Sequence, residues 1–254
     1  MRRKKQDIGK ELAFFERMEF INYYDSVSKE AFNIILDEVG KFKFGGLVLE
    51  AGCATGSLGK ELLKFCSDMT MIGVDINQKF VEKIKQAKDT RYEAIRGNLE
   101  DPKLFEREKF DCIIFINILH HFPNIDKVFD NAYYWLKKNG MILIFDPNGS
   151  NLILKISYYL RVLLYKFFPE IVSGYASVNE RSITVEDFIK SLNKFFVILR
   201  MRSILNDTGT RFTGGIIRFL ASVRLILFRL YNFWPNLYSG SDLLIIAKKR
   251  ATPL

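Results

Sequence analysis

Three places in the chain hold residues whose type and spacing could do chemistry. The first is Glu50-Ala51-Gly52-Cys53-Ala54-Thr55-Gly56, directly after the apolar run Leu47-Val48-Leu49 and directly before the helical spacing of Ser57–Phe65. A strand that enters a turn of small residues and leaves as a helix lets backbone N–H groups approach a ligand without Cβ interference. A dinucleotide fold, or a glycine turn holding no ligand, starts the same way. A phosphate-cradling P-loop does not fit, because no Gly-Lys-Ser/Thr follows the turn. Glu50 stands two residues before the first glycine, where a carboxylate suits an ammonium group and repels a pyrophosphate. Asp75 ends the next strand, 25 residues on, where it can accept hydrogen bonds from ribose hydroxyls. The second place is His120-His121, the chain's 2 histidines. Imidazole titrates near neutrality, so one of them could take the proton of a phenol or enol-like hydroxyl while the other packs or lines a pocket. The spacing does not choose between them. The third is Asp146-Pro147-Asn148-Gly149, whose acid could orient a polar substrate group or serve as a simple helix cap.

The elements that must position these residues follow from periodicity. Glu11–Tyr24 and Ser28–Val39 read as amphipathic helices. Strands are expected at Leu47–Leu49, Met69–Asp75, Tyr92–Ile95, Phe110–Ile116 and Met141–Phe145, with helices at Ser57–Phe65, Gln78–Lys88 and Ile125–Lys138, the last capped by Gly140. Phe110–Ile116 is almost wholly apolar, as a strand buried on both faces should be. Strand and helix in alternation imply a parallel sheet covered by helices, with ligands at the carboxyl ends of the strands. Lys194–Arg202 and Asp242–Lys248 add two strands, the last antiparallel. The fold expected is therefore α/β, a Rossmann-like three-layer sandwich with a seven-stranded, mostly parallel sheet. It is one domain over 1–254, with an N-terminal helical cap (1–40), a core (47–146) and two helical lid insertions (147–193 and 203–241).

These segments together resemble the class I S-adenosylmethionine-dependent methyltransferases, in particular the small-molecule branch with the quinone and lipid methyltransferases. The resemblance covers about residues 20–147. Glu50 through Gly56 stands on the family's first motif and Gly73-Val74-Asp75 on its second. Gly97-Asn98-Leu99 stands on the adenine-contacting motif, Phe110-Asp111 through Leu119-His120-His121-Phe122 on the fourth-strand segment, and Leu136 through Ile142 on the turn into the fifth strand. The resemblance implies S-adenosyl-L-methionine as cofactor, with Gly52, Cys53, Ala54 and Gly56 in its cradle. It implies that Glu50 helps place the methionine ammonium, Asp75 binds the ribose diol, and Ile76 packs on adenine. Asn98, with Leu99 beside it, would hydrogen-bond the adenine amino group. Backbone near Phe115 would close the methionine end, Tyr23 would touch the cofactor carboxylate, and the His120-His121 pair would lie at the cofactor–substrate junction. One position departs from the pattern: Ala54 stands where the family usually has glycine. A positive φ there would cost about 1 kcal/mol or more.

Composition sets the remaining bounds. With 254 residues, 48% hydrophobic and 26% charged, the chain is an ordered globular protein rather than a disordered or collagen-like one. Cys53, Cys66 and Cys112 are too few and too scattered for a disulfide framework or a metal quartet, so no metal and a reducing compartment are expected. Cys53 and Cys112 read as packing residues. The formal charge of +9 calls for an anionic partner. Residues 151–169 carry Lys155, Arg161 and Lys166, and residues 211–240 carry Arg211, Arg218, Arg224 and Arg229, all among Leu, Ile, Phe and Tyr and with no acid. Basic residues diluted among aliphatic ones suit an anionic membrane surface, or a lid over a greasy acceptor, better than nucleic acid. The amino terminus lacks the apolar core of a signal peptide, and no run reaches eighteen uncharged apolar residues. The expected location is the cytoplasm, either free or peripheral at the inner face of a membrane. The function expected is methyl transfer to an oxygen or activated carbon of a small apolar or lipid-like acceptor. A soluble sugar or natural-product methyltransferase and a non-catalytic cofactor-binding partner protein are the alternatives. Oligomeric state has no signal in the sequence.

Overall fold

The computed structural model describes residues 27–156, 181–206 and 236–254, together with Gly9, Tyr159 and Ile226. The expected helix at Glu11–Tyr24, Tyr23 with it, and most of the two basic segments fall outside these residues. The described elements run α1 (Lys29–Lys41), β1 (Gly46–Ala51), α2 (Ser57–Phe65), β2 (Met69–Asp75), α3 (Gln78–Gln86), β3 (Tyr92–Arg96), β4 (Phe110–Ile116) and a 3-10 turn at Leu119–His121. They continue with α4 (Ile125–Trp135), β5 (Leu136–Pro147), α5 (Val185–Leu192), β6 (Phe196–Ile204) and β7 (Asp242–Lys249). One seven-stranded sheet has the order β3-β2-β1-β4-β5-β7-β6. β1 through β5 are parallel, and β7 runs antiparallel to both β5 and β6. This is the expected Rossmann-like sandwich.

Strand alternation divides the core into two layers. Leu49, Ile113, Ile142 and Ile245 face one side, under Val128, Phe129 and Trp135 of α4 and Phe188 and Leu192 of α5. Val48, Ile114, Leu143 and Ile246 face the other, under Ile35 of α1, Leu62 of α2 and Ile84 of α3. All of these are at most 2% exposed. A central strand apolar on both faces can lie only between two helical layers, which is why β4 reads as a continuous apolar run. Local signals agree with the packing. Ser28 caps α1 by accepting from the Ala31 N–H at 3.1 Å. Thr184 and Asp187 form a capping box at the start of α5.

Two expectations change. The helix read as Ile125–Lys138 stops at Trp135, because Leu136 is already extended and pairs with Phe110. Gly140 is then not a helix cap: it lies within β5, and the left-handed residue is Asn139, with φ 63. The stretch 147–193, read as a lid, contains α5, whose Val185, Phe188 and Leu192 are buried in the sheet's core. The Thr184-x-x-Asp187 cap gives this helix its own start, separate from the basic apolar segment before it.

Candidate active site

The carboxyl ends of β1, β2, β4 and β5 converge on one edge of the sheet. β1 leaves it through Gly52, φ 73, Ala54, φ 47, and Gly56, φ 70. Positive φ at every second residue turns the chain back sharply, and Gly52 and Cys53 both donate their N–H to the Val74 carbonyl at 2.9 Å, which ties the turn to β2. Ala54 is therefore in the left-handed region, where its Cβ is strained. The Ala54 N–H donates to Asp75 Oδ2 at 3.0 Å and the Asn77 N–H to Oδ1 at 2.8 Å. These two bonds fix the carboxylate at the mouth of the turn.

Glu50 lies deeper. It is 4% exposed and accepts from the Tyr92 hydroxyl and from the Gly59 backbone N–H. Burial, only partly offset by these bonds, pushes its carboxyl up to about 7. The glutamate thus braces the turn against α2 and β3 from below. Asp75 is also raised, to about 6, by burial against its backbone bonds. Cys53 is 4% exposed and faces Gly73, where an added Cβ would meet its Sγ at 2.8 Å; burial holds its thiol well above the ordinary range. It fills space between β1 and β2. Ile76 is half-buried beside Asp75. Asn98 Oδ1 accepts from the Glu100 N–H at 3.0 Å, which leaves the second lone pair of this oxygen for an amino group. Leu99 and Phe115 are core side chains, 3% and 1% exposed, so what they offer at this edge is backbone. The Leu99 carbonyl is held by Asn131 Nδ2 at 2.8 Å.

The histidines separate in role. His120 Nδ1 is 2.7 Å from Asp146 Oδ1, and the His120 backbone N–H donates to Asp146 Oδ2 at 3.0 Å. Asp146 is 1% exposed. The acid that the sequence offered as a substrate-orienting group or a cap instead grips His120 from the next strand. His121 is 8% exposed, and its ring lies tilted by 39° against that of His120 with centroids 4.1 Å apart. Spacing could not reveal the Asp146–His120 pair, since 26 residues separate them. A histidine just past β4 and an acid ending the adjacent β5 were the available signal.

Residues 49–142 match the family model described as a methyltransferase domain. Over 104 residues the chain is 29% identical to a sterol 24-C-methyltransferase of Clavispora lusitaniae, covering 39% of this chain and 27% of that protein. Over 112 residues it is 27% identical to a ubiquinone biosynthesis O-methyltransferase of Actinobacillus pleuropneumoniae, covering 42% and 48%. The chain thus spans less than half the length of these relatives. Among solved structures it resembles the MccD protein, with a TM-score of 0.61 at 15% identity over 89% of this chain and all of that one. It also resembles an S-adenosylmethionine-dependent methyltransferase from Methanosarcina mazei, with a TM-score of 0.58 at 16% identity over 81% and 92%. The chain has the class I S-adenosylmethionine-dependent methyltransferase fold, and that fold implies S-adenosylmethionine as cofactor.

The residues present fit that cofactor. The Asp75 carboxylate accepts backbone N–H groups of Ala54, Asn77 and Ile76, and with about four lone-pair sites on its two oxygens it keeps capacity for a diol. Beside it, Asn77 Oδ1 accepts from the Lys79 N–H, while its buried Nδ2 has no partner among the described residues, an orphan donor at the expected ribose. No Lys or Arg stands between Glu50 and Ser57 to meet a pyrophosphate.

Two outcomes follow from this geometry. Asp75→Asn keeps the shape but loses charge-assisted bonds worth roughly 1.5–3 kcal/mol, so calorimetry should show cofactor Kd rising on the order of 10- to 100-fold. Binding favours the ionised acid, so wild-type affinity should fall as pH drops through about 6, and the variant should lose that dependence. An Asn variant that binds like wild type excludes this ribose site. Ala54→Gly relieves left-handed strain but adds unfolded-state entropy, for a net gain of roughly 0.5–1 kcal/mol. A thermal melt should rise by about 1–4 °C with cofactor affinity not weakened; a lower melting temperature would show that Ala54 carries no strain.

Proposed function

We propose that this protein transfers a methyl group from S-adenosylmethionine to a hydroxyl oxygen or activated carbon of a small, apolar, lipid-like acceptor, with His120 as general base. The observation that carries the base assignment is the double grip of buried Asp146 on the ring and backbone N–H of His120. When bound, S-adenosylmethionine would supply an electrophilic methyl carbon on a sulfonium whose departure as a neutral thioether balances the transfer. Asp75 holds the ribose, the Gly52–Gly56 turn offers backbone donors, and Asn98 reads the adenine edge. With Nδ1–H donating to Asp146, the neutral imidazole carries its basic lone pair on Nε2. The acceptor's proton passes to Nε2, and the Asp146 carboxylate stabilises the imidazolium that results. His121, in tilted contact with the ring, limits its rotation.

Two observations support an apolar acceptor. The relatives are named for a sterol and for ubiquinone biosynthesis. In addition, Leu152, Ile156 and Tyr159 are 53%, 50% and 71% exposed and follow one another at helical spacing, shortly after Asp146. Apolar side chains on one exposed face, in a segment whose charges are all basic, suit an interfacial surface of anionic lipid. Among the described residues no helix is long and apolar enough to cross a membrane.

The test is release of S-adenosylhomocysteine in the presence of apolar phenols, sterol-like alcohols and soluble sugars. Turnover is expected with the apolar acceptors. His120→Gln should lower kcat about 10²- to 10⁴-fold with cofactor affinity unchanged. Full activity in that variant removes the base role, and turnover on sugars alone removes the lipid-like acceptor. Cofactor binding without turnover on any acceptor would favour a non-catalytic partner protein. In a flotation assay the protein should rise with anionic vesicles at low salt, and rise less with neutral vesicles or at high salt. Leu152→Ser/Ile156→Ser should reduce flotation while sparing cofactor binding. Protein that stays in the soluble fraction at low salt excludes the membrane contact.

A further inference from the structure

One buried acid at the glycine turn has no part in the reaction as described. Glu50 lies in β1, two residues before Gly52, and is 4% exposed. Its carboxylate accepts from the hydroxyl of Tyr92, the first residue of β3, which is itself 3% exposed. The tyrosine ring sits in a space that three glycines leave open. A Cβ added at Gly56, at the end of the turn, would meet the ring at 2.7 Å. One at Gly59, in the first turn of α2, would meet it at 2.9 Å, and one at Gly73 of β2 at 3.0 Å. A Cβ at Gly59 would also strike the Glu50 carboxylate. Bare backbone on three separate segments thus lets one ring lie under the turn and deliver its hydroxyl to Glu50. Packing alone needs only the ring, and a phenylalanine would fill the same space. The hydroxyl is the feature that packing does not explain.

We propose that Tyr92 is a positioning residue of the S-adenosylmethionine site, whose hydroxyl holds the Glu50 carboxylate in place for the ammonium group of the cofactor. The inference deepens the cofactor assignment and rests on it. Glu50 faces Tyr92 from β3, Asp75 from β2, Gly59 and Lys60 from α2, and Cys53 from the turn. The turn itself, from Glu50 to Ser57, carries no Lys or Arg. Lys60 attracts the carboxylate less than Asp75 repels it. Negative charge is therefore in excess under the turn, which suits a ligand that is cationic at this end. Burial pushes the Glu50 carboxyl up to about 7, and the Tyr92 bond is the strongest influence against that rise. Burial and the Glu50 charge push the phenol well above its ordinary range, so Tyr92 keeps its proton and donates. Near neutral pH the carboxyl is then about half ionised, and without the hydroxyl it would be held largely as the neutral acid. A neutral acid gives an ammonium no counter-charge. The hydroxyl also fixes the carboxylate before the ligand arrives, which lowers the ordering cost of binding.

Two ligands separate this role from simple support of the turn. S-adenosylhomocysteine carries the ammonium, whereas methylthioadenosine has the same adenine, ribose and thioether without the amino-acid part. Calorimetry on the full-length protein should show Tyr92→Phe raising the Kd of S-adenosylhomocysteine about 10-fold and that of methylthioadenosine by less than about 2-fold. Glu50→Gln, which keeps the shape and loses the charge, should show the same selective loss. The double variant Tyr92→Phe/Glu50→Gln should bind no more weakly than Glu50→Gln alone, because the hydroxyl acts through the carboxylate. Gly59→Ala keeps the hydroxyl but drives it and the carboxylate apart, and should also weaken S-adenosylhomocysteine more than methylthioadenosine. Circular dichroism checks that each variant is folded, and Gly59→Ala carries the test should Tyr92→Phe not fold. Equal weakening of both ligands in the folded variant means that the tyrosine only supports the turn, and the inference fails. It fails equally if S-adenosylhomocysteine binding is unchanged, or if the two losses add in the double variant. Wild-type protein that binds neither ligand removes the cofactor assignment itself, a result distinct from all of these.

Discussion

Burial of carboxyl groups at the carboxyl ends of the strands is the constraint on which the rest of this edge depends. Glu50, Asp146 and Asp242 are at most 6% exposed, and Asp75 is half-buried beside them. A buried carboxyl without hydrogen bonds is strongly disfavoured, so each must recruit donors from the next segment of chain. Glu50 recruits the Tyr92 hydroxyl and the Gly59 N–H; Asp75 recruits Ala54 and Asn77; Asp146 recruits His120; Asp242 recruits Ser241 and Asn206. Each bond that satisfies an acid also pins a loop. Loops at the ligand edge of an α/β sheet would otherwise be its most mobile parts. Here they are held by the polar groups that a ligand would meet.

Burial also explains why several of these acids depart from ordinary carboxylate behaviour. Glu50, Asp75 and Asp242 are all raised, first by desolvation. A group with a raised folded pKa binds more protons folded than unfolded. Stability from such groups is therefore full only below about 4 and is lost progressively as pH rises to about 6 to 7. The edge is costly to maintain at neutral pH unless a ligand repays the ionised form, as a ribose diol would at Asp75. Such strain at a functional site, supported by packing elsewhere, is the general pattern. Ala54 is a second instance, since its φ of 47 is set by the turn rather than by its own preference.

Much of this was legible in sequence, for identifiable reasons. β4 and β2 were found to the residue because an apolar run bounded by polar residues has only one way to lie in a two-sided core. The Glu50–Gly56 turn and Asp75 were legible because glycine spacing and a strand-ending acid are local signals. What escaped was long-range. Asp146 as the holder of His120 depends on the register of β4 and β5, which no local pattern encodes. The end of α4 was misplaced because Leu136-Lys137-Lys138 continues a helical spacing, and the pairing of Leu136 with Phe110 overrides it. α5 was submerged in a stretch whose composition drew attention to its basic, apolar beginning.

The topology accounts for how two kinds of chemistry meet. In the order β3-β2-β1-β4-β5-β7-β6, the chain winds outward in one direction from β1 and in the other from β4, so their loops part at that junction and leave a crevice. The glycine turn and Asp75 stand on β1 and β2, and the His120–Asp146 pair on β4 and β5. Beyond the pairing of β1 with β4, one close approach at this edge joins the two halves. A Cβ added at Gly52 would meet the Ile118 side chain at 2.5 Å, two residues before His120. Gly52 therefore has two independent reasons to lack a side chain, its left-handed φ and the close approach of the β4 loop. The second reason is the one that matters for chemistry. With a side chain at this position, the turn and the His120 loop would be driven apart, and methyl transfer depends on holding donor and acceptor in line within a few tenths of an ångström. The bare backbone at Gly52 is what lets a sheet that separates the two halves by topology bring them together at its edge.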